Sequence, residues 1–285
     1  MQYRKLLITG GSGYLGSQVI RFSQGWKVHS TYLNHTPVSF PNTTFHQCDL
    51  TNPNKLDQLL DIVRPLAIIH TACSNQNKAN LESIEPAAVN LTKTAAKKKI
   101  RLIHVSTDII FDGQHAPYTE ESLPSPLSDY GRAKVKAEEI VQTHNKDTLI
   151  VRPSLIYGID PMDHQTRWLV NDIDQNQPIR LFKDEFRSPI WVNTLSHALL
   201  ELVESTETGI LHVAGTQTLN RWDFGKAILK MLKRDIPDNV KPSTIKEAGL
   251  VRPNNLALDV TKAQQVLKTP LLSVSEVSLH LCQPD

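Results

Sequence analysis

Along the first half of the chain, short apolar runs alternate with longer segments whose apolar positions recur at helical spacing. Strands buried on both faces read as continuous apolar runs, and amphipathic helices as a three-to-four-residue period. The runs are residues 4–9 (RKLLIT), WKVHSTYL, TTFHQC leading into Asp49 and Leu50, LAIIHTA ending at Ala72, RLIHVST, and DTLIVRPSLIYG. Between them lie SQVIRFSQGW, a segment near NPNKLDQLLDIV, EPAAVNLTKTAAKKK, and YGRAKVKAEEIVQTH, all with helical patterning. Strands separated by helices predict an α/β fold with a parallel, doubly wound sheet. In such sheets ligands bind outside the carboxyl ends of the strands. That edge should gather the turn after the first strand, Ala72, Ser106, Thr107, Arg152, Pro153 and the helix bearing Tyr130.

The texture changes beyond about residue 160. A longer polar stretch precedes DEFRSPIWVNTLSHALLELVE, then GILHVAG as a strand, LNRWDFGKAILKML as a helix, and a terminal strand-turn-helix. These pieces are too interspersed to form an independent module. They predict a small lid, residues 159–285, interleaved with a nucleotide-binding part over residues 1–158.

The first strand runs into GGSGYLG, with Gly10, Gly13 and Gly16 in a GxxGxxG pattern that opens a helix. Missing β-carbons let backbone approach a pyrophosphate at a helix N-terminus, which assigns cofactor contacts to these glycines and to Tyr14 and Leu15. Folds that prefer NAD place an acid at the end of the second strand to hold the ribose 2′-hydroxyl. Here that strand ends in Thr31, Tyr32 and Leu33, and Asp49 is the first acidic residue in the chain. A 2′-phosphate would meet no like charge, with Arg21, Lys27 or His35 available nearby, so NADP(H) is favoured and NAD(H) remains possible. Asp49, followed by Leu50, either bonds the adenine amine or caps the following helix.

Tyr130 and Lys134 stand four residues apart on a helix and so share one face. An ammonium beside a phenol stabilises the phenolate and brings a proton donor nearer to neutral pH. Composition limits the alternatives. Net charge is +2 with 31 basic and 29 acidic residues, which gives no footprint for nucleic acid. Lys97–Lys98–Lys99 reads as the solvated end of a helix. Cys48, Cys73 and Cys282 have no metal-ligand spacing, and two of them sit in apolar strand contexts that suggest buried free thiols. The histidines form no zinc pattern, so no metal is expected. No run reaches the length of a membrane span, and the chain enters its first strand without a signal segment, so a cytoplasmic protein is expected.

The stretches GGSGYLG (10–16), STDIIFDG (106–113), YGRAKVKAEE (130–139), VRPSLIYG (151–158), RSPIWV (187–192) and RPNNLALD (252–259) together resemble the extended short-chain dehydrogenases/reductases. Within that family the chain is most similar to the dTDP-4-dehydrorhamnose reductase-like branch. The resemblance implies a Rossmann-type domain with a small C-terminal substrate-binding subdomain. It implies that Thr107 bonds the substrate carbonyl, Tyr130 is the general acid/base, and Lys134 lowers its pKa and binds the nicotinamide ribose. It further implies that Asn90 supports a proton-relay water, with Ser106 a neighbouring hydroxyl ranked below Thr107. Three positions depart from the pattern: Ile109 replaces an aromatic residue, Leu155 a tryptophan, and Ala137 a glycine. The first two alter the wall on the substrate side.

The expected function is an NAD(P)H-dependent reductase of a keto group on a sugar of the nucleotide-linked deoxysugar class, with hydride from the nicotinamide and proton from Tyr130, and the family resemblance allows a homodimer. Two other readings stay open. One is an NADP-binding regulatory subunit resembling the methionine adenosyltransferase β subunit. The other is a sugar-nucleotide epimerase; dehydration is disfavoured because Asp108 is followed by Ile109 instead of a second acid.

Overall fold

The computed structural model describes residues 4–73 and 78–282. Strands β1 (Lys5–Thr9), β2 (Lys27–Tyr32), β3 (Thr43–Gln47), β4 (Ala67–His70), β5 (Arg101–Val105) and β6 (Thr148–Pro153) alternate with helices α1 (Tyr14–Phe22), α2 (Pro53–Val63), α3 (Lys78–Lys98) and α4 (Asp129–His144). Beyond them come β7 (Ile156–Tyr157), α5 (His164–Asp174), β8 (Ile179–Phe182), β9 (Phe186–Arg187) and β10 (Ile190–Trp191). The chain continues through α6 (Val192–Glu204), β11 (Gly209–Val213), β12 (Leu219–Asn220), α7 (Arg221–Met231), β13 (Val240–Ser243), α8 (Thr261–Val266) and α9 (Val274–Cys282).

The central sheet has seven strands in the order β3-β2-β1-β4-β5-β6-β11, and every neighbouring pair is parallel. Alternate residues of each strand feed opposite layers. Leu6 and Ile8 pack with Val19, Ile20, Leu195 and Leu199 of α1 and α6. Leu7, Ile68 and Leu102 pack with Leu56, Leu60 and Leu91 of α2 and α3. Both faces are therefore covered, which is why these strands read as apolar runs and not as alternation. Strand order reverses between β1 and β4, and the crevice opens at that point.

Two features differ from the sequence expectation. GILHV, read as part of a lid, is β11 and pairs with β6 as the seventh strand, with Leu211↔Val151 in register. The segment 192–213 thus returns to the first layer, and only the flanking pieces build the smaller lobe. That lobe has its own core of Leu155, Tyr157, Leu169, Ile179, Phe224 and Ile228. The helix expected from Glu85 starts at Lys78 and runs through Pro86. A proline there forgoes one intrahelical bond, and packing of α3 against both α2 and α4 compensates for it. Ala137, where the family has glycine, is fully buried in the α3–α4 contact beside Ile84 and Ala88. Among the described residues no helix is long and apolar enough to cross a membrane.

Candidate active site

The glycine turn folds back over the end of β1. Gly10 has φ +75°, and a β-carbon there would lie 2.7 Å from the Ala72 Cα. A β-carbon on Gly16 would lie 2.3 Å from the Gly10 carbonyl oxygen. No side chain therefore fits between β1, α1 and the end of β4. Helix α1 begins at Tyr14 behind Gly13, with no side-chain cap and no acid in its first turn. The first-turn N–H groups of Tyr14, Leu15 and Gly16 consequently point out along the axis, where the helix dipole favours an anion. The Tyr14 side chain does something else: its hydroxyl donates to the Pro161 carbonyl at 3.0 Å, tying the turn to the second lobe. Burial pushes that phenol far above its ordinary range, so it stays a neutral donor.

At the adenine end, Asp49 does not cap α2. Its Oδ1 accepts from the Thr51 amide at 2.9 Å and the Thr51 hydroxyl at 2.7 Å, while Asn52 caps the helix by accepting from the Lys55 amide. Leu50 is buried in the core beneath α2. Asn90, expected to support a relay water, donates instead to the carbonyls of Leu50 at 3.1 Å and Thr51 at 2.9 Å. Both of its amide hydrogens are thereby committed to fastening the loop after β3 onto α3.

Thr107 and Ser106 sit at the carboxyl end of β5. Thr107 is extended and caps the short 3-10 turn Asp108–Ile110, its Oγ1 accepting from the Ile109 amide at 3.2 Å. Ser106 is buried, and its Oγ has no hydrogen-bond partner among the described residues. A buried hydroxyl left unsatisfied costs free energy until something arrives to bond it. Tyr130 and Lys134 lie one turn apart near the start of α4, as the spacing predicts. The Lys134 ammonium, however, donates to the Val105 carbonyl at 2.8 Å and lies 3.5 Å from His104 Nε2. Among the described residues no hydrogen bond joins it to the phenol. Burial first, and then the neighbouring Cys73, push the Tyr130 hydroxyl well above its ordinary value. The expected lowering by lysine is thus not the state of this structure. Cys73 is exposed, with Sγ 3.9 Å from the Tyr130 oxygen, which corrects its reading as a buried thiol; Cys48 is buried as expected. The Cys282 side chain lies outside the described residues.

Arg152 is also corrected. It is 2% exposed, donates from Nε and Nη2 to Glu138 of α4 at 3.1 and 2.7 Å, and lies over Phe111. Its guanidinium therefore faces the interior and is not brought to the crevice. Pro153 ends β6 opposite Val213, also buried.

Sequence reasoning missed the other half of the site. A cleft of about 840 Å³ opens beside Tyr130 and Ile109, walled by Trp168, Phe182 and Leu256. Among the described residues, four arginines, Arg180, Arg187, Arg221 and Arg252, line it with Glu185 as the one carboxylate. Glu185 lies 3.2 Å from Arg252 and 3.8 Å from Arg221, so the balance in the cleft remains basic. Behind Thr107, Asp108 is fully buried and ion-paired with Arg187, and Ser154 Oγ donates to its Oδ2 at 2.6 Å. RSPIWV was visible as a motif, but nothing local in the sequence pairs Arg187 with Asp108 seventy-nine positions away.

A glycine turn under an open helix N-terminus, at the switch point of a parallel sheet, defines a dinucleotide-binding protein of Rossmann type. The orphaned Ser106 hydroxyl and the uncapped N-terminus of α1 behind Gly13 both fit a nicotinamide dinucleotide there. Residues 4–278 match the family described as "RmlD substrate binding domain", and the chain belongs to it. It is similar to a probable low-salt glycan biosynthesis reductase, Agl14, of Haloferax volcanii (29% identical; 90% of each chain covered). It is also similar to methionine adenosyltransferase 2 subunit beta of Xenopus tropicalis, at 27% identity over 92% of this chain and 82% of that one. Among solved structures, dTDP-4-dehydrorhamnose reductase of Bacillus anthracis in complex with NADP superimposes with a TM-score of 0.82 at 22% identity, covering 98% and 99% of the two chains.

Proposed function

We propose that the protein is an NADP(H)-preferring reductase of a keto group on a nucleotide-linked sugar. The observation that carries this is the junction of two features: an acid-capable phenol at Tyr130 and a basic, aromatic-walled cleft that opens directly onto it. Arginines recognise phosphate by charge-assisted, often bidentate hydrogen bonds. A diphosphate among Arg180, Arg221 and Arg252 would leave the sugar toward Ile109 and Tyr130, with the exposed Trp168 free to stack on a base. The reductase name of the Haloferax relative supports the reaction class, and the NADP of the Bacillus structure supports the cofactor.

The α1 N-terminus and the glycine turn would hold the pyrophosphate. Lys134, a buried ammonium held by the Val105 carbonyl, still has donor capacity for the ribose. The nicotinamide supplies a hydride when bound. Tyr130 delivers a proton to the carbonyl oxygen as charge develops there, and Thr107 orients that oxygen through its hydroxyl. A phenol held above its ordinary pKa stays protonated at neutral pH, which suits the acid in the reductive direction. Holding the reactants in a closed crevice supplies a further share of the acceleration.

The methionine adenosyltransferase relative motivates one other reading, a nucleotide-binding regulatory subunit. NADPH and NADH oxidation against a panel of nucleotide-linked 4-keto sugars separates the two. Turnover with NADPH supports the reductase. No turnover across the panel, together with a stoichiometric partner on purification, would replace it with the regulatory reading.

A further inference from the structure

Resting on the assignment of Tyr130 as proton donor, we propose that Asp108 and Arg187 are positioning residues: their buried ion pair locks the end of β5 to the substrate lobe and fixes the charge balance facing the Tyr130 phenol. The geometry is built and not incidental. Asp108 is 0% and Arg187 9% exposed. Arg187 Nε donates to Asp108 Oδ2 at 2.7 Å, and its Nη2 donates to Oδ1. Ser154 of the β6 edge donates to Oδ2 at 2.6 Å and in turn accepts from the Ser188 amide at 3.2 Å. Thr107 Oγ1 reaches Asp108 Oδ1 at 3.4 Å. The carboxylate thus sits at the node joining Thr107, β6 and β9.

A buried pair of this kind is a weak source of stability, because desolvating both charges offsets much of their attraction. Its location is informative instead. Arg187 and Tyr130 line the same cleft. The charged or titratable groups acting on the phenol include Cys73 just beyond β4, Asp108 and Arg187, while Lys134 one turn along α4 is held by the Val105 carbonyl. Asp108 acts to raise the phenol and Arg187 to lower it. With both present the two contributions oppose each other, and the phenol keeps its proton without being locked beyond use. Removing one partner should unbalance it, and the two removals should unbalance it in opposite senses.

The test compares Asp108→Asn, Arg187→Gln and the double variant, each checked for fold by circular dichroism. Asn keeps the shape of Asp108 and can still accept from Ser154. The readouts are the alkaline limb of kcat against pH and, independently of turnover, the titration of the Tyr130 ring by 13C NMR, assigned through Tyr130→Phe. The limb and the phenol should move down by about one pH unit in Asp108→Asn. They should move up by a comparable amount in Arg187→Gln and return toward wild type in the double variant. A purely structural role would lower kcat in both single variants without opposite shifts, and that result overturns the inference. Should Arg187→Gln not fold, Asp108→Asn alone decides: an unmoved phenol is enough to reject the idea. Absence of turnover in wild type would count against the reductase, and the NMR titration would still decide the role of the pair.

Discussion

A thiol and a phenol meet at the end of β4, where Cys73 Sγ lies 3.9 Å from the Tyr130 oxygen. Because Cys73 is exposed and Cys48 is buried with its thiol pushed up, iodoacetamide should label Cys73 first. The added group would occupy the space where a carbonyl must approach, so labelled wild type should lose most of its turnover while Cys73→Ser resists. Full activity after stoichiometric labelling would show that the substrate does not approach along this side. Gly16 allows an equally local test. A β-carbon 2.3 Å from the Gly10 carbonyl forces the turn apart. Gly16→Ala should weaken NADPH binding at least tenfold by fluorescence titration, with little change in the circular dichroism of the fold; unchanged affinity would mean that the turn does not carry the pyrophosphate.

At the scale of elements, α4 must hold Tyr130 and Lys134 over the end of β5, and the Arg152–Glu138 pair pins it to β6. Both side chains are almost fully buried, at 2% and 4% exposure. Removing one partner leaves an uncompensated buried charge, at a cost of about 3–5 kcal/mol. Arg152→Met should therefore lower the urea midpoint sharply, and Arg152→Met with Glu138→Leu should recover much of the loss. A single variant as stable as wild type would place no such demand on the pair. These elements also mark what was legible in the sequence. The glycine turn, the Tyr130–Lys134 helix and the first six strands were readable because each depends on neighbours within a few residues. GILHV was readable as a strand but not as β11, since a short apolar run does not reveal which edge it joins. Asn90 and Arg152 carry side chains that suit a cofactor site, yet each is consumed by a distant partner: the Leu50 and Thr51 carbonyls in one case, Glu138 in the other. The arginine cleft was illegible for the same reason. Its members come from β8, β9, α7 and the loop before residue 253, and only the fold collects them.

For the whole molecule, several imidazoles are sealed in the sheet. Burial holds His70 at a pKa of about 3 and His212 at about 4, and holds His104 well below its usual value. In the unfolded chain each would titrate near 6.5. Their folded values are depressed, so the unfolded state binds more protons as pH falls through 6.5. Stability is complete above that pH and is lost on descending from about 6.5 toward 4, by up to ~1.4 kcal/mol per pH unit for each histidine. Urea midpoints should be level between pH 7 and 8 and clearly lower at pH 5.5. A midpoint unchanged at pH 5.5 would mean that these rings are protonated, or solvated, in the fold.

All of these packing and charge arrangements converge on one hydroxyl. The most direct measurement compares wild type with Tyr130→Phe in parallel: NADPH affinity by fluorescence, and NADPH-dependent reduction of the keto-sugar substrate that the panel identifies. The account predicts cofactor affinity within a few-fold of wild type, with turnover reduced by at least two to four orders of magnitude, the usual contribution of a positioned acid. Turnover in Tyr130→Phe equal to that of wild type would contradict it.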